Sequence, residues 1–85
     1  MPVFAVRFKG MLTGDERRRL TAARIELAGS KASMRMRIGE TTVSTGRPIY
    51  TVKLEASSEQ EALARVREAI EPDTSNFSGW EAGPT

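Results

Sequence analysis

Residues 31–56 read KASMRMRIGETTVSTGRPIYTVKLEA, and the fold turns on how this stretch divides. From Lys31 to Ile38 the chain alternates: Met34, Met36 and Ile38 point one way, Ser33, Arg35 and Arg37 the other. From Ile49 to Ala56 the same period returns, with Tyr50, Val52, Leu54 and Ala56 on one face and Thr51, Lys53 and Glu55 on the other. A period of two rich in β-branched and aromatic residues marks a strand with one face buried. Gly39-Glu40 supplies a turn between the two, and Thr41–Thr45 extends the hairpin. Gly46-Arg47-Pro48 predicts a second turn before the partner strand.

Working outward, Pro2–Lys9 alternates in the same way, with Phe4, Val6 and Phe8 on one face, and Gly10 ends it. Thr13-Gly14-Asp15-Glu16 fits a capping box, a hydroxyl for the free amides of a first helical turn and a carboxylate reaching back. Strong helix formers then carry a helix to Ala28, where Gly29 stands as a left-handed C-cap. A competing reading ends this helix near Ala23 and makes residues 24–28 a strand, because Ile25 and Leu27 also alternate; the helix is preferred here. Arg17, Arg18 and Arg19 fall on its wet face. On the other side, Ser57-Ser58-Glu59-Gln60-Glu61 contains two overlapping capping boxes. The second helix buries Ala62, Leu63, Val66, Ala69 and Ile70, pairs Glu61 with Arg65, and is stopped by Glu71-Pro72. Residues 77–82 make a short, weakly patterned strand carrying Trp80, and 83–85 form a frayed end.

Strand, helix, strand, strand, helix, strand resembles the split βαβ pattern of ferredoxin-like domains. The expected fold is therefore α+β: residues 1–85 as a single two-layer ferredoxin-like βαββαβ sandwich, an antiparallel sheet with two helices on one face. Phe4, Val6, Phe8, Met34, Met36, Ile38, Tyr50, Val52 and Leu54 are expected beneath those helices. Eighty-five residues hold one thin core, and this architecture hosts too many activities to carry one with it.

Composition narrows the chemistry. With no cysteine there are no disulfides, thiolate nucleophiles or cysteine zinc sites, and with no histidine the commonest metal ligand is missing. No apolar run reaches the length of a membrane span. The amino-terminal apolar stretch is too short for a secretory signal, so a cytoplasmic location is expected. Asn76-Phe77-Ser78 matches a glycosylation sequon by chance on that reading. Neither G-x-x-x-x-G-K-[ST] nor G-x-G-x-x-G occurs. Gly10-Met11-Leu12-Thr13-Gly14 lacks the arginine that an acylphosphatase-type anion loop uses. Glu68 and Glu71 are too few ligands for a metal. No enzyme activity, cofactor or small-molecule substrate is indicated.

Net charge is +2, but residues 1–54 hold 11 Lys/Arg against 4 Asp/Glu, and residues 55–85 hold 2 against 7. Strand parity gathers Arg7, Lys9, Arg35, Arg37 and Lys53 on the sheet face opposite the helices. A regular last strand with Phe77 inward adds Trp80 to that face as a base-stacking group. A bulge at Gly79 would instead turn Phe77 and Trp80 inward together. The expected function is a small non-catalytic binding or regulatory module acting through protein interaction or self-association, with this basic face as contact surface. In a self-associating form, the face meets the acidic Glu55, Glu59, Glu61, Glu68 and Glu71 of another copy. The alternative is nucleic-acid or other polyanion binding through the same residues.

Overall fold

The computed structural model describes residues 1–71 and 73–85. The chain runs β1 (Val3–Lys9), α1 (Gly14–Ala22), β2 (Glu26–Ile38), β3 (Thr41–Glu55), α2 (Glu59–Ile70), a short 3-10 turn (Asp73–Asn76) and β4 (Ser78–Pro84). The strands form one antiparallel sheet in the order β2-β3-β1-β4, and with two helices the domain is α+β.

Inward positions of the central strands make the floor of the core: Val6 and Phe8 from β1, Tyr50, Val52 and Leu54 from β3, all nearly inaccessible to solvent. Ala62, Val66 and Ile70, spaced four apart on α2, close it from above together with Leu20 of α1. The two helices also touch one another. Aromatic rings fill one end. Phe8 contacts Tyr50, meets Phe77 edge-on at 5.4 Å between centroids and stacks on Trp80 at 4.9 Å. This end explains Gly10: a Cβ there would lie 2.3 Å from the Phe77 ring and 2.9 Å from the Asn76 carbonyl oxygen.

Both helices begin at predicted caps, but only α1 closes a full capping box. The Thr13 hydroxyl accepts from the Glu16 amide while the Glu16 carboxylate accepts from the Thr13 amide at 2.7 Å, and Glu16 is buried by this exchange. Ser58 caps α2, accepting from the Glu61 amide at 3.1 Å. The Glu61 carboxylate turns back to Ser57, accepting from its hydroxyl and its amide. These bonds, the hydroxyl first, hold the Glu61 carboxyl below its ordinary value. Arg65 does not close on Glu61 and instead donates to the Glu55 carbonyl at 2.8 Å. Glu71 ends α2; Pro72, the expected stop, lies outside the described residues.

Four expectations are corrected. First, α1 does not reach Ala28. The Arg24 amide bonds the Thr21 carbonyl at 3.0 Å and the Ile25 amide bonds the Leu20 carbonyl at 2.9 Å, with Arg24 itself at φ 62°. That is a Schellman end with arginine in the left-handed position, locked by burial of Leu20 and Ile25 on each side of it. Residues from Glu26 onward are strand. Second, Gly46-Arg47-Pro48 does not turn the chain. β3 passes straight through it, and the irregularity appears as a register shift opposite Ala32–Met34, since a bulge accommodates proline in a strand. Third, Met34, Met36 and Ile38 are 57%, 50% and 61% exposed, not core. The β2–β3 hairpin outruns both helices and projects as an arm, giving the domain a 48 Å long axis. Fourth, residues 83–84 are not frayed. β4 continues to Pro84, pairing Gly83 with Ala5 and Pro84 with Phe4, and Thr85 bonds the Val3 carbonyl.

Candidate functional site

Among the described residues, no helix covers the sheet's second face. Register places the residues on it: Arg7 opposite Thr51, Lys9 opposite Ile49, Lys53 between Ala5 and Glu26, Arg35 opposite Ser44 and Arg37 opposite Thr42. Because directly paired residues share a face, Arg7, Lys9, Arg35, Arg37 and Lys53 lie together on the open side, and all five are exposed. Lys31, opposite Ile49, joins them. The alternation of Ser33, Arg35 and Arg37 extends to it, so the sequence carries the signal that adds it to the row. Arg37 Nε donates to the Gly39 carbonyl at 3.3 Å. Among the described residues, Arg7, Lys9, Lys31, Arg35 and Lys53 form no hydrogen bond or ion pair through their side chains. Neighbouring cations on this face stand within a Debye length of each other, so their mutual repulsion is only partly screened at physiological salt.

Carboxylates interrupt the face at one end. Glu26 is paired with Lys53, Glu81 with Arg7, and Glu55 with Val3. The arm end, with Lys31, Arg35 and Arg37, has no acid until Glu40 at the hairpin turn.

Trp80 is absent from this face, and its expected place there is corrected. Between Arg7 and Lys9 the β1–β4 register shifts, so three steps of β4 (Ser78 to Glu81) span two of β1. Gly79 takes up the extra residue at φ 68°, a conformation side chains resist. Phe77 and Trp80 therefore both turn inward, and Arg67 of α2 sits 5.7 Å above the indole. Arg17, still exposed as its wet-face position predicts, likewise lies over the Tyr50 ring, at 5.6 Å.

Among the described residues no three carboxylates come close enough to share a metal ion, and no helix is long and apolar enough to cross a membrane. No family model matches the chain, and no curated protein or solved structure matches it either.

Proposed function

We propose that the protein is a small, non-catalytic binding module whose open, basic sheet face docks the acidic surface of a protein partner. The observation behind this is that, among the described residues, the face is free of helices and six cations stand exposed on it without an ion-pair partner. An anionic surface laid against it relieves their repulsion, which the isolated domain bears alone. A protein is favoured over a nucleic acid for two reasons. Among the described residues the face has no aromatic ring for a base, since Trp80 is committed to the core. Glu26, Glu55 and Glu81 are interspersed at one end; they would repel a phosphate backbone but can pair with lysine or arginine of a mixed protein surface. The ferredoxin-like architecture belongs to the same reading, supported by two helices sharing one core above an antiparallel sheet. The cysteine-free composition supports a cytoplasmic setting, because secreted domains of this size are commonly braced by disulfides.

Fluorescence anisotropy tests the proposal, using a labelled polyglutamate peptide and labelled single- and double-stranded oligonucleotides. The peptide should bind, weaken with salt, and be lost in Arg7→Glu/Lys53→Glu. Oligonucleotides binding more tightly than a peptide of equal charge would transfer the face to nucleic acid. Failure of every polyanion at low salt would end the basic-face reading altogether.

A further inference from the structure

The outer edge of β2 poses a separate question from the basic face. β2 is an edge strand of thirteen residues with no proline, exposed over nearly its whole length. Long unprotected edges of this kind are templates for another strand. Its distal half also carries an apolar row, Met34, Met36 and Ile38, which with Val43 of β3 is exposed on the helix side of the sheet but beyond the helices' reach.

We propose that this edge pairs with the same edge of a second copy, giving a two-fold symmetric dimer centred on Ala32. Register selects this pairing. An antiparallel pair must match residues of the same face, and in a two-fold pair only alternate registers do so. β2 carries one extra residue, Ala28, between its Leu27 and Gly29 partners on β3, which shifts parity at its proximal end. With Ala32 opposite Ala32, Ser33 meets Lys31, Met34 meets Ser30 and Arg35 meets Gly29. Beyond the bulge Met36 meets Leu27, itself 37% exposed, and Arg37 meets Glu26. Every pair shares a face, the bulky apolar residues meet each other or small residues, and Glu26–Arg37 is formed twice. The neighbouring registers fail on charge. Centring on Lys31 sets lysine against lysine, and centring on Ser33 sets Lys31 against Arg35 twice; like charges directly opposite destabilise a strand pair. In the favoured register the arm of each copy lies beside the proximal half of the other's β2. Its methionine row then meets the side of the sheet that α1 of that copy covers. The paired region, twelve residues from Glu26 to Arg37, is a strip about 40 Å long. The basic face is left open and becomes continuous across both copies.

Sedimentation velocity of the intact chain from micromolar to millimolar concentration should show a mass rising from 9.3 kDa toward twice that value. Arg37→Glu alone and Glu26→Arg alone each place like charges opposite one another at two symmetric positions and should raise the dimer Kd about tenfold. The double variant Glu26→Arg/Arg37→Glu should restore it. Since the chain has no cysteine, Ala32→Cys provides an independent test. Directly opposed strand residues have Cα atoms about 4.5–5.5 Å apart, inside the disulfide range of about 4.4–6.8 Å. Mild oxidation should therefore link Ala32→Cys into dimers much faster than Thr42→Cys at the hairpin tip. A chain that stays monomeric to millimolar concentration overturns the proposal. A double variant no better than the single ones, or equal linking at positions 32 and 42, overturns the register.

Discussion

Replacing Gly10 by alanine probes the aromatic end of the core directly. The new methyl carbon would fall 2.3 Å and 2.8 Å from two Phe77 ring carbons and 2.9 Å from the Asn76 carbonyl oxygen. Ordinary contact begins near 3.4 Å, so the ring must retreat by about 1 Å, and it has nowhere to go: Phe77 is 6% exposed and wedged edge-on against Phe8. Overpacking of this kind costs about 1–3 kcal/mol. Gly10 also sits at φ 157°, and a side chain in so sparsely populated a region adds about 1 kcal/mol. The sum, roughly 3 kcal/mol, is a large part of the total expected for 85 residues, about 4–13 kcal/mol. Urea unfolding followed by Trp80 fluorescence reads the loss, and in a thermal scan it corresponds to a fall of about 12–24 °C in Tm. Gly14→Ala is the matched control. Nothing lies within 4 Å of its added carbon, and inside α1 alanine should stabilise by about 0.4–1 kcal/mol. If Gly10→Ala unfolds within about 0.5 kcal/mol of the parent, well below that overpacking range, the packing described here is wrong.

Three further outcomes follow from named contacts. Arg24→Gly relieves a left-handed arginine at the end of α1 and should raise stability by up to about 1 kcal/mol in urea; a loss would mean the Schellman end is misassigned. Thr13→Ala removes one half of the capping box and should cost about 1 kcal/mol, measured the same way, with no loss if the cap is unimportant. Glu61 should titrate below an ordinary glutamate by NMR, and Ser57→Ala should move it back up. Because its folded pKa is lowered, its contribution is present above the unfolded value and is lost as pH falls through the folded one. An unshifted Glu61 in the parent would remove the Ser57 contacts from the account.

Periodicity exposed faces well and depth poorly. The core residues of β1, of the proximal half of β3 and of α2 are where alternation and four-residue spacing put them, and so are the five cations of the open face. Met34, Met36 and Ile38 obey the same alternation yet are solvent-exposed. Thirteen residues of strand extend about 43 Å, while the twelve of α2 cover about 18 Å. An alternating pattern cannot say where the covering layer stops. The α1–β2 boundary is legible only in the alternation of Ile25 and Leu27, the competing reading that ends the helix near Ala23, and the cap signals point past it. Its terminator is arginine in a position normally held by glycine, and Gly29, which has the right identity, lies in open strand with no close neighbour. Trp80 lies in the core because one bulged residue at Gly79 reverses parity; the glycine signals that a bulge is possible, but a count of alternate residues cannot choose it over a regular strand.

The most direct test of the binding reading is an amide NMR titration of labelled protein with polyglutamate. The account predicts that shifts concentrate at Arg7, Lys9, Thr51 and Lys53 and along Lys31–Arg37, fade as salt is added, and spare α1 and α2. Shifts confined to the helices, or none at low salt, would contradict it.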